Sequence, residues 1–478
     1  MPTYSLVTFG CQMNQHDSER VAEVLREMGY EESEGPAAAD VVLLNTCSVR
    51  EKAEHKLRSE VGRIAMLKRD RPELIIGVLG CVAQQEGDRL LRQMPDLDLV
   101  VGPDRIGELP AILHAVDSGA PALVRTGFDV DAPEFLAARP EPGRAPVSAF
   151  VTVMKGCDER CSFCIVPHTR GPERYRPARE IVAEVARLVS AGVREVTLLG
   201  QTVNSYRDPE ASFGADHARG SRSERMRSES EFPALLRRIV EEVPALLRLR
   251  YTSPHPRHLT DALIRAHAEL PPLVRHVHLP VQSGSDRVLR RMIRRYTVEE
   301  YETRVARLRE AVPGITLSTD VIVGFPGETP EDFRGTLELL ERVGYAGVFA
   351  FKYSVRPHTP ALNFEDDVSE AEKAERLARL FEVSEPRRRA HLTGLVGQVE
   401  PVLVEGRSKG GAFTGRTERN EIVHFEAGQT DPTGLLVRLR IERAFKNSLF
   451  GALEDGQRLP PLEERRPERR ALPMLQAE

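Results

Sequence analysis

The sequence has no run of about 18 consecutive apolar residues, so we expect no membrane-spanning helix of ordinary length. Its first residues, Met1 to Phe9, lack the basic start and the long apolar stretch of a signal peptide and predict a strand instead. The chain also lacks an excess of positive charge, because its formal net charge is -5 and its isoelectric point is ≈ 6.3. This excludes a protein that binds nucleic acid through bulk basicity, and any RNA-binding surface has to be a local patch. We expect a cytoplasmic protein.

Cysteine is scarce, with six residues among 478, which in an intracellular chain favours metal or redox chemistry over disulfides. Three of the six lie in one loop, Cys157-Asp-Glu-Arg-Cys161-Ser-Phe-Cys164, directly after a strand-like run from Phe150 to Met154. A structural zinc site, or an iron–sulfur cluster held by protein alone, would need a fourth ligand. Three thiolates on a [4Fe–4S] cluster leave one iron open to a small molecule. The alternative is a zinc loop that takes His168 as its fourth ligand.

The other three cysteines follow predicted strands in the first ~120 residues, where strands and helices alternate. Cys11, Cys47 and Cys81 come after the first, second and third of these strands. The alternation predicts a parallel sheet, and the carboxyl ends of parallel strands share the edge where ligands of open α/β sheets bind. The three thiols are therefore predicted to converge as a second three-thiolate cluster site. The alternative is three unrelated small buried residues.

From Phe150 the alternation continues through about six βα units, which predicts an incomplete barrel with its chemistry at the carboxyl ends of the strands. Polar or glycine-rich sequences follow four of the strands: 200–204, 252–255, 281–285 and 324–328. After Gly394 short strands and glycines predict a small β-barrel. Its basic residues alternate with Phe413, Phe445 and Phe450, a pattern that suits single-stranded nucleic acid.

The motifs around the cysteines resemble those of the methylthiotransferase family of radical S-adenosylmethionine enzymes. They are Gly-Cys11-Gln-Met-Asn, Asn-Thr-Cys47-Ser-Val-Arg-Glu, Leu-Gly-Cys81-Val-Ala-Gln, the Cys157 loop and Leu279-Pro-Val-Gln-Ser-Gly-Ser. The residues around Cys11 and Cys47 favour the branch that acts on dimethylallyladenosine in tRNA. The branch for a ribosomal-protein aspartate resembles Gly-Cys-Pro-Lys-Asn, and the branch for threonylcarbamoyl-adenosine resembles Gly-Cys-Lys-Val-Asn.

The resemblance implies an α/β fold in three domains joined by a linker. These are a doubly wound parallel-sheet domain (1–120), a linker (121–142), a partial (β/α)6 radical S-adenosylmethionine barrel (143–385) and a small C-terminal β-barrel of the TRAM type (388–453). We expect a mobile insertion at 207–230 and a disordered tail at 454–478.

The resemblance implies methylthiolation of C2 of N6-isopentenyladenosine beside the anticodon. It implies two [4Fe–4S] clusters, on Cys157/Cys161/Cys164 and on Cys11/Cys47/Cys81, and two S-adenosylmethionine molecules per turnover. The first cluster would cleave S-adenosylmethionine to a 5′-deoxyadenosyl radical, and the second would hold the sulfur, so the carboxyl edges of the two domains must face each other. Expected partners are tRNA, an electron donor such as a flavodoxin or ferredoxin and a sulfur donor, with no membrane partner, and we expect a monomer.

Further site residues are expected by family likeness. The candidates for binding the cofactor are Phe163, Gly200, Gln201, Asn204, Ser253, Gln282 and Asp320. The candidates for RNA contact are Arg416, Arg419, Arg443 and Lys446. The sequence departs from the family at Thr202, where Asn is usual, and at His168 and Tyr175, where Tyr and Ser are usual. A different class remains open, namely a non-enzymatic RNA-binding module stabilised by metal.

Overall fold

The structure is a computed structural model that describes residues 1–48, 51–140, 145–211, 230–408, 410–428 and 430–454, with the backbone alone at 51–53. Most of the predicted insertion (212–229) and nearly all of the predicted tail (455–478) lie outside these residues. Within the described ranges, none of the helices has the length and apolar content needed to span a bilayer.

The first unit is a six-stranded parallel sheet in the order β2-β1-β3-β4-β5-β6. The strands are Thr3–Phe9 (β1), Glu31–Glu32 (β2), Val41–Thr46 (β3), Ile75–Gly80 (β4), Leu99–Val101 (β5) and Leu123–Arg125 (β6). The helices are Gln12–Glu27 (α1), Glu51–Asp70 (α2), Cys81–Glu86 (α3), Asp88–Gln93 (α4) and Leu109–Asp117 (α5). The central strands β3 and β4 are buried throughout, because α2 and α4 cover one face of the sheet and α1 and α5 the other. The predicted doubly wound sheet is confirmed.

Strand β6 comes from the stretch that we predicted to be a linker. Leu123 pairs with Leu99, so β6 forms the edge of the first sheet. Three residues are too few to show a strand-like alternation in the sequence, which explains why the pattern missed them. The stretch then contacts the second unit, where the backbone N–H of Ala138 donates to Glu184 at 2.6 Å.

The second unit is built from six parallel strands with crossover helices and a short antiparallel pair, β8 and β9. Its strands are Ser148–Thr152 (β7), Met154–Lys155 (β8), Arg174–Tyr175 (β9), Glu195–Leu199 (β10), Arg248–Tyr251 (β11), His276–His278 (β12), Thr316–Val323 (β13) and Gly347–Lys352 (β14). Its helices are Val166–Thr169 (α6), Ala178–Ser190 (α7), Phe232–Glu242 (α8), Asp261–Glu269 (α9), Asp286–Arg291 (α10), Val298–Ala311 (α11), Pro330–Val343 (α12) and Glu370–Gly394 (α13). The long helices α11 and α12 begin at capping boxes, Thr297 with Glu300 and Thr329 with Asp332, as their sequences dictate.

The six main strands form an incomplete barrel, as predicted. Strands β11-β10-β7 make one parallel sheet and β12-β13-β14 a second. A bridge between Leu249 and Leu273 joins the two halves. Alternate residues such as Val196, Leu249 and Val277 point outward into one apolar core shared with the helices. The intervening residues therefore line the inside of the barrel.

The third unit is the predicted small β-barrel, closed in the order β15-β16-β17-β19-β18. Its strands are Val399–Arg407 (β15), Phe413–Thr417 (β16), Ile422–Phe425 (β17), Leu436–Ala444 (β18) and Leu449–Leu453 (β19). It docks against the second unit through two arginines of β11. Arg248 donates to the carbonyls of Arg416 (2.6 Å) and Pro401 (2.9 Å), and Arg250 donates to that of Thr417 (3.0 Å).

Both arginines pair with Glu195 at the start of β10, so they lie inside the amino-terminal end of the incomplete barrel. The small barrel therefore covers that end of the lumen. The carboxyl ends of the strands, where chemistry was predicted, lie at the opposite end.

Candidate functional site: two groups of cysteines at a shared interface

The three N-terminal cysteines lie at the carboxyl ends of three adjacent strands, as predicted. Cys11 directly precedes α1, Cys47 follows β3, and Cys81 is the first residue of α3. Gly10 has φ +131, and a Cβ placed there would collide with the Cβ of Cys47. Only glycine therefore lets the Cys11 and Cys47 segments approach this closely.

The electrostatics of this first group favour a thiolate. A hydrogen bond from Cys47 is the main cause that lowers the pKa of Cys11 to about 6, with further help from the nearby Arg170. Burial raises the pKa of Cys81, and Arg170 opposes that shift. Because a thiolate is the form that binds metal, the lowered pKa of Cys11 favours metal ligation by this residue near neutral pH.

The second group of cysteines is fixed by the loop between β8 and α6. The backbone N–H of Cys157 donates to the carbonyl of Gly171 at 3.1 Å, and that of Cys164 donates to the carbonyl of Cys161 at 3.0 Å. The Sγ of Cys157 lies 3.0 Å from the hydroxyl of Thr202, the residue that departs from the family pattern. Burial raises the pKa of Cys157 well above its usual value and that of Cys164 to about 12.

Each group of cysteines is touched by one buried arginine. Arg294 donates to the Sγ of Cys161 at 3.3 Å and is held by Tyr296 and by the carbonyl of Pro280. Arg170 donates to the Sγ of Cys81 at 3.2 Å. A buried cation beside a thiol stabilises its anionic form, so both groups carry a charge partner for bound thiolates.

The zinc alternative requires ligands that converge on one centre. Among the described residues, no group of three or more His, Cys, Asp or Glu side chains is placed to hold a metal ion. Around zinc, ligands converge on one centre, whereas in a [4Fe–4S] cluster each thiolate binds a different iron. His168, the proposed fourth zinc ligand, is exposed, and its ring lies 5.4 Å from that of His358.

The first group of cysteines lies at an interface with the second unit, and Lys155 and Arg170, which flank the Cys157 loop, contact the first unit there. Arg170, at the end of α6, donates to the carboxylate of Asp17 on α1 at 2.5 Å, and both residues are buried. Arg170 and its neighbours hold the pKa of Asp17 at about 2 against the opposing effect of burial. Asp104 of the first unit pairs with Arg174 and, at 3.2 Å, with Lys155. The expectation that the two carboxyl edges meet agrees with these contacts.

The predicted cofactor-binding residues fall into different environments. Both amide atoms of Gln201 are buried without a hydrogen-bond partner among the described residues. Both amide atoms of Asn204 are already used, because they bond to the carbonyl (3.0 Å) and N–H (2.7 Å) of His255. Gln201 is thus available to a ligand, whereas Asn204 positions the backbone after β11.

The remaining candidates for cofactor binding lie around the carboxyl end of the incomplete barrel. Ser253 (φ 59) and Gln282 (φ 71) have left-handed backbones, which cost free energy in residues other than glycine and often occur at binding sites. Phe163 packs edge-on against Phe325, with 6.5 Å between the ring centroids. Asp320 lies 3.3 Å from the Nε2 of His278 on the inner face of β13. A Cβ at Gly200 would lie 2.6 Å from the Cγ of Met154, so its role is close packing.

A buried charge cluster at the Cys157 loop was not predicted from the sequence. The carboxylate of Glu159 is 3.1 Å from the Nε2 of His258 and within 4.0 Å of Arg257 and Arg295. These partners lower the pKa of Glu159 against the effect of burial. Arg170 and Arg294 were also missed, because a buried charge looks like a surface charge in the sequence.

The predicted RNA-contacting residues are only partly available. Arg416 pairs with Glu405 at 3.1 Å, and Arg419 pairs with Glu400 at 2.5 Å. Arg443 stacks over the ring of Phe450 at 4.6 Å, and Lys446 lies 3.2 Å from Glu385. Arg443 on β18, with its aromatic neighbours, is therefore the best placed of the four for stacking on a base.

Three family models match the chain in the order of its units. Residues 3–102 match Uncharacterized protein family UPF0004, residues 151–340 match the Radical SAM superfamily, and residues 395–453 match the TRAM domain. The radical SAM model implies a [4Fe–4S] cluster and S-adenosylmethionine as cofactors.

Relatives match over nearly the whole chain. The chain is 61% identical to a tRNA-2-methylthio-N(6)-dimethylallyladenosine synthase of Sorangium cellulosum over 100% of both chains. It is 46% identical to the synthase of the same name from Myxococcus xanthus, over 94% of each chain. Among solved structures, the radical S-adenosylmethionine methyltransferase TsrM from Kitasatospora setae is similar, with a TM-score of 0.53 and 17% identity over 76% of this chain and 77% of that chain. This structural likeness shows the fold alone.

Proposed function

The chain belongs to the family of tRNA-2-methylthio-N(6)-dimethylallyladenosine synthases, which are radical S-adenosylmethionine enzymes, and we propose that it methylthiolates C2 of N6-dimethylallyladenosine in tRNA. The observation that carries this proposal is the contact between the units beside the cysteines, where Lys155 and Arg170, which flank the Cys157 loop, reach the first unit. Arg170 of the second unit contacts Cys81 of the first. Radical chemistry and sulfur delivery can then act on one base held between the units.

We assign one [4Fe–4S] cluster to Cys157, Cys161 and Cys164, with an open iron for S-adenosylmethionine. Cys11, Cys47 and Cys81 would hold a second cluster, which would supply the site for the sulfur. When bound, these groups supply the radical and sulfur chemistry that an aromatic C–H of very low acidity requires. Each group of thiols has one arginine contact, and these contacts support both assignments.

The residues of the chain position the cofactor and the base. The buried amide of Gln201, which has no hydrogen-bond partner among the described residues, is suited to bind polar groups of S-adenosylmethionine. Such hydrogen bonds would remove the free-energy cost of a buried amide without a partner. Phe163, between two of the cysteines, offers an apolar face for the adenine of the cofactor. Ser253, Gln282 and Asp320 line the same end of the barrel, while Gly200 and Asn204 fix the backbone around them.

The C-terminal barrel provides the surface for tRNA. Its docking on Arg248 and Arg250 fixes it relative to the second unit, so a tRNA bound there has a defined position relative to the interface. We propose that Arg443 with Phe450 stacks on a base, and that Arg416, Arg419 and Lys446 contribute charge near the backbone. The domain limits proposed above (1–120, 143–385 and 388–453) keep each group of ligands within one domain.

Two further partners are proposed on chemical grounds. Reductive cleavage of S-adenosylmethionine needs an electron donor such as a flavodoxin or ferredoxin. Each turnover also consumes a sulfur atom, so a sulfur donor has to replenish the site. We propose that the monomer is the active unit, because both groups of cysteines come from one chain.

The test is anaerobic turnover of the reconstituted protein on tRNA that carries N6-dimethylallyladenosine, with mass analysis of the nucleosides. The expected product is the 2-methylthio nucleoside, and the expected content is about eight irons per chain. A matched reaction with ribosomal protein should give no product. Methylthiolation of ribosomal protein alone, or about four irons per chain with full activity, would contradict the proposal.

A further inference from the structure

Two large aromatic side chains of the second unit are exposed to solvent, although they lie on a strand of its parallel sheet. Phe349 is 55% exposed and Phe351 is 43% exposed, both on the edge strand β14. Their neighbours Val348 and Ala350 pack against the apolar core under α12 and α13. Because side chains alternate along a strand, Phe349 and Phe351 point to the opposite face, into the lumen of the incomplete barrel.

The same face of the sheet carries polar groups at the same level. Asp320 is the direct partner of Phe349 across β13 and β14, and Ile322 is the partner of Phe351. The ring of His278 meets that of Phe349 with centroids 5.8 Å apart, and its Nε2 lies 3.3 Å from Asp320. We call this surface the inner wall. It consists of the apolar side chains of Phe349, Phe351 and Ile322 and the polar side chains of Asp320 and His278.

The inner wall is continuous with the loop that holds the second group of cysteines. Tyr353 follows β14 and packs on Phe325 at 5.1 Å, and Phe325 packs on Phe163 between Cys161 and Cys164. The backbone N–H of Ala361 also donates to the carbonyl of Ser162 in that loop at 2.8 Å. The carboxyl end of β14 is therefore fixed beside the thiols, and Phe349 lies deeper in the lumen.

We propose that the inner wall binds the dimethylallyl group of the substrate adenosine, with Phe349 as the residue that selects for it. This inference rests on the proposed function and names the specificity site within it. In the purine ring, N1 lies between C2 and C6, and C6 carries the N6 substituent. A base that presents C2 to the Cys157 loop therefore directs its N6 substituent away from that loop. A branched five-carbon group would cover Phe349 and Phe351, and Asp320 can accept the single N6–H that the substituted amine keeps.

The test compares two anticodon stem-loop RNAs that differ only in carrying N6-dimethylallyladenosine or adenosine. Binding of each RNA to the anaerobically reconstituted full chain gives a ratio of two Kd values. We expect the wild type to bind the dimethylallyl RNA at least about ten-fold more tightly, a free-energy difference of about 1.4 kcal/mol. Phe349→Ala should reduce this ratio about ten-fold and leave the affinity for the adenosine RNA unchanged.

Two further variants and a control sharpen the result. Phe349→Leu keeps an apolar side chain and should keep most of the preference, whereas Phe351→Ala should lose part of it. Met66→Ala, which removes a similarly exposed apolar side chain from α2, should change neither affinity. Because Phe349 is exposed, its removal leaves no core cavity, and iron content checks that each variant is intact.

The outcomes separate this inference from the proposed function. An unchanged ratio in both Phe349→Ala and Phe351→Ala overturns the inference, as does an equal loss of affinity for both RNAs. If the wild type makes the 2-methylthio product but shows no preference between the RNAs, the inference fails alone. If it makes no product from either RNA, the proposed function fails, and the Kd ratio still decides whether the inner wall recognises the dimethylallyl group.

Discussion

Arg170 donates a hydrogen bond to the Sγ of Cys81 at 3.2 Å, although the two residues belong to different units and lie 89 positions apart. The same guanidinium pairs with Asp17 beside the first group of cysteines. One side chain of the second unit thus contacts a thiol of the first unit and fixes the interface between the two units.

Breaking this contact should weaken the docking of the two units. Arg170→Gln leaves the buried carboxylate of Asp17 without its cation, which typically costs about 3 kcal/mol of stability. Denaturant unfolding should show this loss. Arg63→Gln, which removes an exposed partner of Glu60, should change stability by less than about 0.5 kcal/mol. An Arg170→Gln protein as stable as the wild type would contradict the role of this ion pair.

Removal of a cysteine from the second group should stop cofactor cleavage. Cys161→Ala takes away one of only three thiolates available to that cluster, so formation of 5′-deoxyadenosine should fall to background. Chromatography of the anaerobic reaction measures it. Continued formation of 5′-deoxyadenosine at the wild-type rate would overturn the assignment of this group to S-adenosylmethionine.

Removal of a cysteine from the first group should have a different effect. Cys47→Ala should preserve cleavage of S-adenosylmethionine, because the second group is intact, but should abolish sulfur insertion into the tRNA base. The two products are measured in the same reaction by mass analysis. A Cys47→Ala protein that still makes the full amount of 2-methylthio nucleoside would show that the sulfur is held elsewhere.

The hydroxyl of Thr202, 3.0 Å from the Sγ of Cys157, should tune the redox potential of the cluster proposed there. Hydrogen bonds to a ligating sulfur stabilise the more negative, reduced cluster. Thr202→Val should therefore lower the midpoint potential in an anaerobic redox titration followed by electron paramagnetic resonance, whereas Thr202→Ser should not. Identical potentials for the Val and Ser variants at equal iron content would rule this role out.

The stability of the second unit should depend on pH through His267. Burial lowers the pKa of this ring to about 4 from a usual 6.5, and the ring bonds to the hydroxyl of Tyr251 at 2.6 Å. The unfolded chain therefore binds a proton at His267 more tightly than the folded chain does. The contribution of the neutral ring to the free energy of unfolding is fully present above about pH 6.5. About 3 kcal/mol of it is lost as the pH falls towards 4.

Unfolding measured between pH 7 and pH 4 tests this dependence. His267→Gln removes the titrating ring, so it should reduce the fall in stability over this range. If His267→Gln and the wild type lose stability in parallel, other groups control the pH dependence.

The positions of the cysteines were predictable because local patterns place them. Cys11, Cys47 and Cys81 each follow an apolar strand, and parallel strands have to end at a shared edge. The alternation of strands and helices was likewise predictable, because long elements such as Thr316–Val323 and Asp261–Glu269 have an unbroken periodicity. Strand β6 was not predictable from the sequence. Leu123–Arg125 is too short to show a periodic pattern, and the strand forms through its pairing with β5.

The environment of the site could not be predicted in the same way. Asn204 looked like a ligand-binding residue, but its amide holds the backbone of His255. Arg416 and Arg419 looked like free RNA-binding cations, but each is paired with a glutamate. In both cases the partner is distant in sequence or sits on a neighbouring strand, so residue type alone does not reveal it.

The sequence by itself determined which residues can bind metal, that they form two groups of three, and that each group follows a strand. The tertiary structure alone decided that Arg170 and Arg294 contact those groups, and that Phe349 and Phe351 face the lumen rather than the core. The physical reason is that burial and charge pairing depend on which surfaces meet. Such contacts join residues far apart in the chain, whereas a sequence pattern records only the neighbours along it.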